Sequence, residues 1–324
     1  LDGCHEQRSH GTSYPEPRDE ICSPVIDSWG LSHHSADRLT SSDPYSVACE
    51  CFGFLSCRTM GRNNRWWNEE IYSSFVGGIA PREKRTIPEE STMFLWLTLI
   101  EGGAGAMFWQ YRPEYVTFES PGYNMVALDG EPTPRFREVV RVVEKIESLS
   151  EHLPLEVPRS EVAVVCDLQS QELFSYDGEL DVSGQTASDR YLADLRGVYR
   201  TLWMRGIPAD PVTPKMDWSG YRLVVMPNVT LMTDEVRDRL ERTLTESPET
   251  HFLAEGSFGL FAPDGESSYA PPEQFAERFG VRVADFSAVT EYEIEQGRNV
   301  VETPNGSLTI TTPCGYAVLE PKGD

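Results

Sequence analysis

The sequence predicts an α/β fold in two parts: a parallel (β/α) barrel segment, then a doubly wound α/β domain. Three observations carry this reading. Two short apolar runs, Trp66–Tyr72 and Met107–Tyr111, end in charged and aromatic residues and frame one helical stretch, the order expected of strand, loop, helix, strand in a parallel sheet. Beyond residue 160, short apolar runs again alternate with helical patterns. Between the two lie Leu153-Pro154 and Val157-Pro158, a Pro-punctuated linker that sets the division at 1–154 and 155–324.

Residues 1–25 are polar and aperiodic. They open Leu1-Asp2-Gly3-Cys4-His5, with no Met, no basic start and no apolar leader, which reads as the interior of a longer chain. Asp27 to Ala36 reads as a short helix and Arg38–Ser42 as a strand, with irregular chain to Asn64. Pro88 followed by Glu89 and Glu90 starts the next helix. Phe94, Leu95, Leu97 and Ile100 make it apolar on most sides, and Gly102-Gly103-Ala104-Gly105 stops it. Leu128-Asp129-Gly130-Glu131 forms a turn. Arg135–Ser150 is an amphipathic helix, with Val139, Val140, Val142, Val143 and Ile146 as its buried stripe.

In the second half Glu161–Asp167 is a buried strand, followed by a long polar loop. Ser188 caps a helix through Tyr191, Leu195 and Tyr199. Arg222–Met226 is a strand. Thr233 caps a helix through Val236, Leu240 and Leu244, and His251–Ala254 is a third strand. Residues 281–324 read as β-rich.

Composition narrows the functions. The net charge is −24 over 324 residues. Phosphate binding needs clustered Lys and Arg, so nucleic acid and anionic membranes are not expected partners. No apolar run is long enough to span a bilayer. Lysine occurs only at 84, 145, 215 and 322. An acidic surface so poor in lysine points to high salt, where screening removes self-repulsion; a merely acidic protein is the alternative. Seven scattered cysteines argue against a disulfide framework and for a reducing, cytoplasmic setting. Cys49, Cys51 and Cys57 are metal candidates by residue type. Their spacing lacks the C-x2-C knuckle, and ordinary thiols are the alternative. No nucleotide fingerprint is present, and no cofactor is expected.

The chemistry concentrates in Arg65–Arg112. Retaining glycoside hydrolysis needs two carboxylates, one a nucleophile at a strand end, and aromatic rings nearby stack on sugar faces. Simple alternation puts Asn68, Glu70 and Tyr72 on one side of an extended strand and Glu69 on the other. On that basis only one of the two glutamates faces the barrel mouth, and Glu70 is the candidate. Solvated strand-end charges are the bland alternative.

Trp67-Asn68-Glu69-Glu70-Ile71-Tyr72 resembles the strand-seven nucleophile motif of glycoside hydrolase family 42 β-galactosidases. Phe108-Trp109-Gln110-Tyr111-Arg112 resembles the strand-eight motif. Glu119 matches the glutamate that follows it, although Gly122 stands where the family has a histidine. Ser160–Val164 and Trp218–Pro227 are similar to two strands of the family's trimerisation domain. The resemblance implies the C-terminal portion of a (β/α)8 TIM barrel, then a flavodoxin- or glutamine-amidotransferase-like domain. It implies Glu70 as nucleophile, with Trp67, Trp109, Arg112 and Glu119 binding substrate. The substrate would be a terminal β-galactoside and the assembly a homotrimer. The acid/base glutamate is expected upstream of residue 1, because too little barrel follows Asn68-Glu69 for that pair to end strand four. An inactive assembly or carbohydrate-binding module is the alternative function.

Overall fold

The structure is a computed structural model. It describes residues 28–32, 66–73, 88–116, 120, 122–153, 155–176, 187–303, 305–309 and 314–322. The chain divides into two compact units, Leu1–Arg159 with Leu202–Gly206, and Ser160–Thr201 with Ile207–Asp324.

In the first unit, β1 (Trp29–Ser32), β2 (Trp66–Tyr72) and β3 (Gly105–Trp109) form a parallel sheet in that order. Residues 29–32 are strand rather than the expected helix. Four residues are too few for periodicity to decide, and pairing of Trp29, Gly30 and Leu31 with Trp66, Trp67 and Asn68 sets the conformation. The strand expected at Arg38–Ser42 lies outside the described residues.

Helix α1 (Pro88–Ile100) links β2 to β3 and buries Phe94, Leu95 and Leu99. It ends as the glycines require. Gly102 adopts φ 79°, its N–H donates to Leu99 O, and the Gly103 N–H donates to Thr98 O. These two bonds satisfy carbonyls that the helix end leaves open. Helix α2 (Pro134–Glu147) is capped by Thr133, whose Oγ1 accepts from Phe136 N. Its buried stripe is narrower than expected. Val139 and Val142 are buried while Val140 and Val143 are exposed, because those two lie on the flanks of the helix face that meets α1.

From Ser160 onward, β4 (Val162–Val165), α3 (Leu168–Tyr176), α4 (Ala187–Met204), β5 (Ala209–Val212), β6 (Leu223–Met226), α5 (Asp234–Glu246) and β7 (His251–Ala254) follow in order, all in the second unit except the end of α4 from Leu202. The sheet runs β5-β4-β6-β7, all parallel, a doubly wound order. Two expectations are corrected and one strand was missed. The stretch after Asp167 begins with α3 instead of a loop. Ser188 lies inside α4 instead of capping it. Strand β5 was not legible because its sequence is Ala-Asp-Pro-Val. It is tolerated at the sheet edge, where Pro211 loses no central ladder bond, and Asp210 is satisfied by Ser160 N at 2.9 Å, Ser160 Oγ at 2.8 Å and Tyr221 Oη at 3.1 Å.

The core of this unit gathers Val165, Trp218, Val224, Met226, Leu240 and Phe275. Thr233 caps α5, its Oγ1 accepting from Val236 N at 3.2 Å. Thr233→Ala is expected to lower stability by about 1 kcal/mol, read as a shift in the denaturant midpoint. An unchanged midpoint would show that solvent satisfies the helix end equally well. Beyond the sheet, α6 (Glu273–Phe279) leads into β8 (Val281–Val289), α7 (Glu291–Glu295), β9 (Val300–Thr303), β10 (Gly306–Thr309) and β11 (Cys314–Pro321). β8 pairs with β11 and β9 with β10, both antiparallel.

Candidate active site

The two faces of the β1-β2-β3 sheet differ in what covers them. Trp66 and Asn68 are fully buried on the α1 side, where Asn68 Nδ2 donates to Thr98 Oγ1 at 3.3 Å. Trp67 points the other way and is 39 % exposed. It is flanked by glycines, since its register partners are Gly30 on β1 and Gly105 on β3. A Cβ at Gly105 would fall within the Trp67 indole, and a Cβ at Gly30 would fall within the Glu69 carboxyl group.

Both neighbouring strands record an irregularity in β2. Leu31 and Ser32 of β1 face Asn68 and Glu70, so one step on β1 spans two on β2. Ala106 and Phe108 of β3 face Asn68 and Ile71, so two steps span three. One extra residue therefore sits at Glu69–Glu70, a β-bulge. Alternation restarts beyond it. Asn68 and Ile71, three apart, are both fully buried on the α1 side, and the two glutamates between them project to the opposite face. The expectation that only one of them faces the barrel mouth is thus corrected. Strict alternation excludes a pair that the bulge permits. Both are half-buried.

Along β3, Gly105, Met107 and Trp109 share the face of Trp67. Met107 is 52 % and Trp109 40 % exposed. The strand ends are tied together by Ser73, fully buried. Its N–H donates to Trp109 O at 3.0 Å, and its hydroxyl lies 2.7 Å from Tyr123 O and 3.1 Å from Trp109 O. The Trp109–Gln110 peptide is cis. The structure thus brings Trp67, Glu70 and Trp109 to one sheet face. Arg112 is exposed beyond the end of β3. Glu119 and the candidate metal ligands Cys49, Cys51 and Cys57 lie outside the described residues. Gly30, Gly105 and Met107 were not named as site residues from sequence, Gly105 being read only as part of a helix stop. The signal for the glycines was available, since a glycine within a strand marks close approach by another group.

Asp167, at the end of β4, is buried and structural. It accepts from Ser170 Oγ and from Gln169 N, and Tyr191 Oη donates to its carbonyl at 2.9 Å. Burial, and then the charge of Asp167, push the neighbouring Cys166 thiol up to about 12. Its thiolate is scarce at neutral pH, so it is not a nucleophile.

The first unit thus carries two strand-end carboxylates and two half-exposed tryptophans on a three-stranded parallel sheet, and the second is a doubly wound α/β unit. Residues 160–248 match the beta-galactosidase trimerisation domain. The chain is 30 % identical over 145 residues to the beta-galactosidase GanA of Bacillus subtilis, covering 44 % of this chain and 21 % of that one. It is 28 % identical over 250 residues to a beta-galactosidase of an Arthrobacter species, covering 76 % of this chain and 35 % of that one. A catalytic variant of Gan42B, a family 42 β-galactosidase from G. stearothermophilus, shares the fold with a TM-score of 0.77 at 18 % identity, covering 93 % of this chain and 42 % of the other. The resemblance to part of a glycoside hydrolase family 42 β-galactosidase is thereby borne out, and the α/β fold with parallel sheets is that of solved family 42 β-galactosidases. The chain spans between a fifth and about a third of the length of these two curated relatives.

Proposed function

We propose that this chain is the C-terminal part of the catalytic barrel, together with the trimerisation domain, of a retaining glycosidase acting on terminal β-D-galactosides. The observation that supports this best is the shared sheet face of Trp67, Glu69, Glu70 and Trp109. In this reading Glu70 attacks the anomeric carbon and displaces the leaving group, giving a covalent glycosyl-enzyme that water then hydrolyses. A second carboxyl group, supplied by an earlier barrel strand, first protonates the departing oxygen and later deprotonates the water. Trp67 and Trp109 offer apolar faces for the C–H faces of the sugar. Arg112 orients the site carboxylates and Glu119 accepts from galactose hydroxyls. The α/β unit carries homotrimer contacts, and the buried free thiol of Cys166 suits a reducing cytoplasm.

The test compares the 324-residue chain with the longer chain proposed to contain it, on an aryl β-galactoside. The longer chain is expected to turn over and to sediment as a trimer. The 324-residue chain is expected to be inactive, because in this reading the acid catalyst lies on an earlier barrel strand. Hydrolysis by the 324-residue chain alone would overturn the division of the site. A longer chain that assembles and binds galactose without turnover would instead favour an inactive binding module.

A further inference from the structure

We infer that Glu69 is a second working carboxylate of this site and that Gly30 is the residue that positions it. The inference rests on the function proposed above and extends it to two residues that the motif does not distinguish. Gly30 is buried, and it is not among the glycines that adopt positive φ, so its backbone does not demand glycine. What glycine provides there is room for the Glu69 carboxyl group. Gly30 pairs with Trp67, so a side chain at 30 would rise on Trp67's face of the sheet, where the Glu69 carboxyl group already lies. Gly105 plays the same part on the other flank, where the Trp67 indole takes its space. The two side chains on this face of β2 therefore lean apart, Trp67 toward β3 and Glu69 toward β1. The bulge then adds Glu70 to the same face.

A carboxylate lying over Gly30 leans toward β1, and when ionised it only accepts hydrogen bonds. On a face that receives a sugar, its natural donors are ring hydroxyls. Glu69 and Glu70 thus form a pair in which one attacks while the other holds the sugar in register, and positioning of this kind carries much of a barrier reduction.

The test uses the longer chain, with an aryl β-galactoside as probe. Glu69→Gln is expected to lower kcat/KM by about tenfold or more, with the melting temperature close to that of the parent. Gly30→Ala is expected to do the same, because the new methyl group displaces the carboxyl. Gly30→Ala combined with Glu69→Asp, one methylene shorter, is expected to recover part of the loss, which a merely structural glycine would not allow. Wild-type kinetics in Glu69→Gln, or no recovery in the double variant, would overturn the inference. A thermal double-mutant cycle reads the packing without activity: Gly30→Ala should lower the melting temperature of the parent but hardly that of a Glu69→Ala background. If the wild-type longer chain hydrolyses no galactoside, the proposed function fails on its own control. Equal thermal shifts in both backgrounds overturn the Gly30–Glu69 contact in either case.

Discussion

Glu70→Gln in the longer chain is expected to abolish aryl β-galactoside hydrolysis while leaving the fold intact. The amide keeps the size and one acceptor of the carboxylate but loses its charge and its ability to form a glycosyl ester. Loss of a nucleophile that acts as one part of a catalytic unit costs on the order of a thousandfold or more, about 4 kcal/mol of transition-state stabilisation. The fall should appear in kcat/KM, with the melting curve superimposable on that of the parent, because Glu70 is only half-buried. The companion variant Glu70→Ala opens space for azide, which attacks from the face the carboxylate has left and yields a glycosyl azide of inverted anomeric configuration. Full activity in Glu70→Gln would remove Glu70 from the mechanism. Azide rescue of Glu69→Ala in place of Glu70→Ala would move the nucleophile one residue along the bulge.

Trp218→Ala is expected to be the most costly single truncation in the α/β unit. Its side chain is fully buried and sits in the cluster of Val165, Val224, Met226 and Leu240. Its Nε1–H donates to Thr213 O at 3.0 Å. Truncation removes the largest side chain in that cluster, leaves a cavity and frees a buried carbonyl, which together cost roughly 3–5 kcal/mol. For a unit of this size the melting temperature should fall by roughly 10–15 °C. Trp218→Phe, which keeps most of the ring volume and loses only the donor, should recover more than half of that. A Trp218→Ala transition within about 2 °C of the parent would show that the cluster closes over the gap.

Much of the fold was legible because its signals are local. Val162–Val165 is an unbroken apolar run rich in valine, Thr233 stands three residues before the N–H it caps, and Gly102-Gly103 ends α1 by the hydrogen bonds such glycines supply. What was missed depends on distant partners. Ala209–Val212 is a strand despite Pro211, because it lies at the sheet edge and Asp210 finds three donors from elsewhere in the chain. Residues 29–32 are a strand because β2 offers a ladder. The site divides in the same way. Trp67, Glu70 and Trp109 were named from motif and spacing and do share a face, while Glu69 was set aside by an alternation rule that holds only in a regular strand.

The sequence by itself determined the α/β class, the strand that carries the glutamates and the aromatic residues beside them, since composition and periodicity are properties of a short stretch. Only the tertiary structure decided that both glutamates face the same way. That outcome rests on the register of β2 against two neighbours, each a chain segment away, and on the space left by Gly30. Neither is written in the stretch Trp67–Tyr72 alone.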